Sequence, residues 1–369
     1  MTVQPPFKYD VEGSFLRPGY LKKAREEFAN KTIDAKQLKA IEDKAIQELV
    51  AKEKEVGLQA VTDGEFRRRY WHLDFLADLD GVEEIKAYHW SVHFKGHQPK
   101  AATLKITDKI DFGNHPFVEH FKYLQSIGQD TLCKMTIPSP SMLHLICCVR
   151  SEEYTPIKRY EDMDVLYHDI AIAYQKAIRA FYDAGCRYLQ LDDTSWGEFC
   201  DANKRKAYNK RGLDLDKIAK SYVDMINLAL EAKPKDMTIT MHICRGNFRS
   251  TWFSSGGYEP VAEILFGHCK VDGFFLEYDS ERSGDFSPLR FIKDQKVVLG
   301  LITSKFAKLE DKEEVKKRIQ EAEKYVAKEQ LCLSPQCGFS STEEGNIMTE
   351  DEQWAKVKLV KEIAEEVWR

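Results

Sequence analysis

The sequence predicts an α/β fold: a single (β/α)8 TIM barrel with an antiparallel hairpin insertion after the second strand. Three observations predict it. Short apolar runs of strand length alternate with longer segments of helical period, the pattern of a parallel sheet with helical crossovers. Eight such runs fall in a chain of 369 residues, a size that suits one barrel domain over 1–369. One stretch, about 66–130, departs from the pattern and alternates polar with apolar residues, as an inserted hairpin does. A doubly wound open sheet is the competing architecture, because strand counting alone does not separate it from a barrel.

The first run is Tyr9 to Phe15. A helical stretch follows from Pro18 to about Gly57, with Ile41, Ala45 and Leu49 spaced along one helix face. Leu58 to Glu65 is the second run and ends in Asp63-Gly64-Glu65. Inside the insertion, His89-Trp90-Ser91-Val92-His93-Phe94 and Thr103-Leu104-Lys105-Ile106-Thr107 alternate like antiparallel strands with one solvated face. The regular pattern resumes with Thr131 to Pro138, a helix-rich region through Asp183, and Tyr188 to Asp193. A helix over Leu213 to Ala232 leads into Met237 to Cys244. Gly273 to Asp279, Lys296 to Lys305 and Leu331 to Gly338 complete the set, with helices over Lys308 to Lys328 and Thr349 to Arg369.

Composition narrows the function classes. The chain is 43% hydrophobic and 31% charged, as ordinary globular proteins are. A net charge of −5 with interspersed signs gives no broad basic field, so nucleic acid is not an expected partner. No apolar run has bilayer length, and the N-terminus lacks the basic and apolar regions of a signal peptide, so the expectation is a cytoplasmic protein with no membrane partner. Nine cysteines exclude a complete disulfide framework and suit a reducing compartment; adjacent Cys147 and Cys148 suit core packing. The composition is equally compatible with a homo-oligomer.

In a barrel the active site belongs at the carboxyl ends of the strands. Polar residues gather there: Ser14, then Asp63 and Glu65, Asp192 and Asp193, His242 and Cys244, Glu277 and Asp279, and Cys337. Residues two apart in a strand point the same way, so His242 and Cys244 can grip one ion. With Glu277 and Cys337 they offer one imidazole, two thiolates and a carboxylate, all zinc ligands and enough for a tetrahedron. The plainer readings make Cys337 a buried turn residue and Glu277 a partner of Arg282. Arg67-Arg68-Arg69, beside Tyr70 and Trp71, reads either as a contact for an anionic ligand or as a solvated rim. His89, His93 and His97 would form a metal stripe on a helix, but the interleaved Trp90, Val92 and Phe94 favour a strand. Trp196 reads either as a pocket wall or as core.

Taken in order and with their intervals, Glu12-Gly13-Ser14-Phe15, Asp63-Gly64-Glu65, Leu189-Gln190-Leu191-Asp192-Asp193, His242-Ile243-Cys244, Leu276-Glu277-Tyr278 and Pro335-Gln336-Cys337-Gly338 carry a resemblance. Over most of its length the chain resembles the C-terminal catalytic barrel of the cobalamin-independent methionine synthases. The resemblance implies a zinc-dependent methyl transfer to the thiol of homocysteine, giving methionine, with zinc on His242, Cys244, Glu277 and Cys337. It implies that Glu65 and Asp192 meet the substrate ammonium and the Ser14 region its carboxylate, with Asp193 and Trp196 as further substrate-binding candidates. The chemistry has a reason of its own. A free thiol, with a pKa of about 8.5, is mostly protonated at neutral pH and a poor nucleophile, whereas metal coordination leaves it as thiolate.

Two departures bear on the methyl donor. Full-length members of that family carry a second, N-terminal barrel, and this chain has room for the catalytic one alone, which bears on binding of a polyglutamylated folate. The family also has an Asp-x-His-Ser segment after its seventh strand whose histidine protonates the leaving pterin. Here the segment reads Leu301-Ile302-Thr303-Ser304-Lys305, with Thr303 at the histidine position. Threonine is a poor general acid, so either a group such as Lys305 serves or the donor, a methylated corrinoid or a sulfonium, needs no proton. The same fold also serves alkyl transfer to other small thiols, decarboxylation of the uroporphyrinogen type and non-catalytic zinc or thiol sensing.

Overall fold

A computed structural model describes residues 4–86 and 102–369. Among them nine strands form: β1 (Ala60–Val61), β2 (Asp80–Lys86), β3 (Ala102–Asp111), β4 (Leu132–Pro138), β5 (Tyr188–Asp193), β6 (Thr238–Ile243), β7 (Gly273–Glu277), β8 (Lys296–Ile302) and β9 (Leu331–Pro335). Seven make one sheet in the order β1-β4-β5-β6-β7-β8-β9, every neighbouring pair parallel. The strands β5, β6 and β7 are buried along their whole length, as a parallel sheet covered on both faces requires.

That order advances along the chain without reversing, so the sheet has no switch point of the doubly wound kind. Both edges of the sheet also meet one segment. Tyr9 bridges Leu333 in parallel, with Asp10 N–H donating to Leu333 O at 3.1 Å and Leu333 N–H to Lys8 O at 2.9 Å. On the other side Phe15 N–H donates to Gly64 O at 3.2 Å, and Thr62 Oγ1–H to Gly13 O at 2.8 Å. A sheet whose two edges reach the same short segment is curled, and it matches a TIM-like barrel. The Tyr9–Phe15 run falls short of a full strand because Gly13 takes φ 140°, outside the extended region.

The antiparallel pair β2 and β3 is the inserted hairpin, with a register shift between Asp80 and Val82, and β3 contains the expected Thr103 to Thr107 strand. The His89–Phe94 alternation and the His89, His93 and His97 set lie outside the described residues.

Other expectations are corrected. The stretch from Pro18 to Gly57 is two helices, Gly19–Ala29 and Ala35–Val56. The second starts on a capping box: Asp34 accepts from Gln37 N–H and the Gln37 side chain from Asp34 N–H, so a fresh helix begins where the apolar spacing suggested continuity. The second strand pairs only over Ala60–Val61, because Gly64 and Glu65 turn through φ 64° and 60°. The helix expected over Lys308 to Lys328 is confined to Lys312–Ala322. A closing helix, Glu350–Val367, lies where expected, and its Trp354 ring stacks on Phe15 at 5.0 Å while Phe339 lies on Phe15 at 6.0 Å. All nine cysteines are free and buried. No helix among the described residues is long and apolar enough to cross a membrane.

Candidate metal centre and acidic cleft

Parallel register sets up the first cluster. His242 on β6 sits between Asp192 on β5 and Phe275 on β7, Cys244 follows β6, Glu277 ends β7, and Cys337 stands two residues beyond β9. One ligand atom from each of His242, Cys244, Glu277 and Cys337 lies within 4.8 Å of the others, and all four residues are buried. The two Sγ atoms are 3.6 Å apart. A disulfide would hold them at about 2 Å, while two sulfurs on one tetrahedral zinc stand about 3.8 Å apart. Both ring nitrogens of His242 are buried with no hydrogen-bond partner. An orphaned buried nitrogen costs about 1–3 kcal/mol, which a cation held by the ring would offset. The residues therefore fit a zinc ion.

Electrostatics around the cluster are arranged in advance. Burial alone would raise the Glu277 carboxyl, but Lys305, Arg282 and Arg245 outweigh it and hold the group down at about 2. Its Oε1 accepts from Arg245 N–H at 2.9 Å and its Oε2 from the Arg282 guanidinium at 2.8 Å, so Glu277 is ionised before any ligand arrives. The hydrogen bond from Cys244, together with His242 and Lys305, holds the Cys337 thiol well below its ordinary range against burial. Lys305 is fully buried, and its ammonium donates to Asn247 Oδ1 at 3.3 Å.

Beside the cluster opens a narrow cleft, onto which Glu12, Ser14, Glu65, Trp71, Asp192 and Ser341 also face. Glu65 Oε1 accepts from Thr136 Oγ1–H at 2.8 Å and pairs with Arg68 at 3.2 Å, leaving Oε2 without a partner. Asp192 Oδ1 accepts from Gln190 Nε2–H at 2.7 Å; burial pushes its carboxyl up to about 7, with His242 opposing and Glu65 adding. Glu12 Oε1 accepts from Ser334 Oγ–H at 2.9 Å while Oε2 has no partner, and burial pushes this carboxyl up to about 8 against the pull of His242. Three buried carboxyl groups, two of them with an oxygen unanswered, and no lysine or arginine on the lining among the described residues, make a cleft complementary to cationic groups. Ser14 Oγ accepts from Ser340 N–H at 3.3 Å and packs so close to Gly338 that a Cβ there would stand 1.9 Å from it.

Of the residues expected from the sequence, Ser14, Glu65, Asp192, His242, Cys244 and Cys337 come together on the cleft, and Glu277 completes the cluster from behind. Asp193 and Trp196 do not reach it. Asp193 follows Asp192 on the strand and so faces the other way, into the hydroxyls of Ser139, Ser141 and Ser195. Trp196 packs edge-on against Phe199 and Tyr222 at 6.1 and 6.0 Å. Glu277 pairs with Arg282, which bridges it to Asp279, and it also stands in the group that could hold an ion. The arginine run divides: Arg67 pairs with Glu42 and Asp43 and Arg68 with Glu65 away from solvent, while Arg69 is exposed, as on a solvated rim, and pairs with Asp74 and Glu84. Thr303 donates its N–H to Glu310 at 2.9 Å and is absent from the lining. Glu12, Trp71 and Ser341 were not foreseen.

The comparisons with known proteins agree with this geometry. The family model described as cobalamin-independent synthase, catalytic domain, matches residues 10–366. The uncharacterized protein YxjG of Bacillus subtilis (strain 168) is 50% identical over 368 residues, 99% of this chain and 96% of that protein. A crystal structure from Listeria monocytogenes, of a candidate vitamin-B12-independent methionine synthase, superposes with a TM-score of 0.80 at 46% identity, covering 99% of this chain and 98% of the other. A B12-independent methionine synthase from Shewanella sp. W3-18-1, solved in complex with selenomethionine, shares the fold with a TM-score of 0.73 at 18% identity, over 97% of this chain and 96% of its own.

Proposed function

This chain belongs to the cobalamin-independent synthase catalytic-domain family, and from that membership we propose that it is a zinc-dependent methyltransferase acting on the thiol of homocysteine to give methionine. The observation that carries the reading is the buried His242, Cys244, Glu277 and Cys337 cluster opening on an acidic cleft. Zinc, when bound there, supplies the charge that keeps a substrate thiol deprotonated at neutral pH. The chain's own residues do the rest. Glu65 and Asp192 bind the substrate ammonium, and Ser14 and the backbone around Gly338 receive its carboxylate. Arg245 N–H and the Arg282 guanidinium already occupy the two oxygens of Glu277, so of the four residues that would hold the ion this carboxylate would hold it least firmly. The bound selenomethionine of the Shewanella protein supports an occupant of this size. We read residues 1–369 as one (β/α)8 barrel domain, with Tyr9–Phe15 as its first strand and the donor a 5-methyltetrahydrofolate-type or other methyl compound.

Metal analysis of protein purified without added zinc tests the centre. About one zinc per chain is expected, lost in Cys337→Ala with the far-UV circular dichroism of the fold intact. A metal-free wild type that binds no homocysteine would sink the reading.

A further inference from the structure

The acidic cleft holds one carboxylate more than an amino-acid substrate needs. Arg68 already answers Glu65 at 3.2 Å, and a substrate ammonium between Glu65 and Asp192 would answer the remaining charge of that pair. Glu12 is left over. It is buried, faces the same cleft, and its Oε2 has no hydrogen-bond partner. Of its positively charged neighbours, Lys134 is engaged by Asp10 and Val11 O, and His242 is a residue that would hold the zinc. Trp71 stands on the same lining. One face of its ring is covered by the His72 imidazole, stacked at 4.4 Å and 23°, and burial keeps that imidazole neutral, its pKa lowered to about 3. An aromatic ring on the same lining as a buried carboxyl group with an unanswered oxygen is the chemistry that receives a soft organic cation, whose charge favours the ionised carboxylate.

Resting on the methyltransferase reading above, we infer that the methyl donor is a small sulfonium cation, met by Glu12 and the ring of Trp71. An anionic donor with a carboxylate tail would find no lysine or arginine on this lining among the described residues. The transfer balances without a proton. The thiolate sulfur forms the new S–CH3 bond, the S–CH3 bond of the sulfonium breaks, and its electron pair returns to the departing sulfur, which leaves as a neutral thioether. No general acid is required, which agrees with Thr303 lying off the cleft and bonded to Glu310.

The zinc-loaded full chain with homocysteine is offered methyl-labelled S-methylmethionine, 5-methyltetrahydrofolate or methylcobalamin in separate reactions, and labelled methionine is read by mass. Binding of S-methylmethionine and of methionine, its uncharged thioether, is measured by calorimetry in parallel. Labelled methionine from the sulfonium is expected, with the sulfonium bound at least tenfold more tightly than the thioether. Glu12→Gln should weaken sulfonium binding at least tenfold more than it weakens homocysteine binding, and Trp71→Leu should act in the same direction. Labelled methionine from the folate or the corrinoid alone overturns the sulfonium while upholding the methyltransferase. Equal losses of both ligands in Glu12→Gln also overturn it, by placing Glu12 on the ammonium. Absence of homocysteine binding and of transfer from every donor removes the underlying reading as well. Should Glu12→Gln fail to fold, the wild-type preference for sulfonium over thioether decides alone.

Discussion

Gly338 stands where a side chain cannot, because Ser14 occupies the space a Cβ would need. Gly338→Ala must therefore push Ser14 aside, and a loss of at least tenfold in homocysteine affinity with a smaller change in stability is expected by calorimetry and thermal melts. Unchanged affinity would remove Ser14 from the binding site. At this scale the sequence was legible wherever ligand chemistry coincided with the period of two. His242 and Cys244 share a face, as read, and the same rule sends Asp193 away from Asp192 into three serine hydroxyls. Glu12 was illegible for another reason. What makes it significant is a buried oxygen without a partner, and its other oxygen bonds Ser334, 322 residues away, a relation no local pattern encodes.

The helix Ala35–Val56 carries a fully buried Glu53 against β1, with both its carboxyl oxygens 3.1 Å from Thr62 N–H. Burial raises this carboxyl well above its ordinary value, against the opposing pull of the Thr62 bonds. The folded state thus keeps a proton that the unfolded chain releases above about pH 4.3, so Glu53 costs stability progressively as pH rises from there towards the folded value. Glu53→Gln is expected to raise the melting temperature by about 2–4 °C at pH 8, with the gap closing towards pH 4. A lower melting temperature for the variant at pH 8 would mean that the ionised carboxylate is the favoured form. The preceding break was within reach of the sequence: Asp34 and Gln37 spell a capping signature, though the apolar spacing around them reads as continuous. The shortness of β1 was not within reach, since it depends on how Gly64 and Glu65 turn beneath the cleft.

Across the whole molecule, the cluster ties the ends of β6 and β7 to the segment after β9, so a bound ion is a crosslink of the native state alone. With free zinc at 100 times the dissociation constant, mass action adds about 2.7 kcal/mol. A strong chelator should therefore lower the melting temperature of the wild type and leave that of Cys337→Ala nearly unmoved; equal shifts in both would place the zinc elsewhere. The barrel class was readable because alternation of strand and helix is a property of the entire chain, whereas the closure of the sheet through Tyr9 and Leu333 appears only in three dimensions. That closure also fixes when the protein becomes competent during its synthesis. Glu12 and Ser14 leave the ribosome long before the sheet edge and the sulfur they face, which arrive with Leu333, Cys337 and Ser341. At about 5–20 residues per second, they wait on the order of half a minute. A nascent chain halted after β7 would display His242, Cys244 and Glu277 without the fourth residue, and translation must pass Cys337 before a centre exists to be loaded.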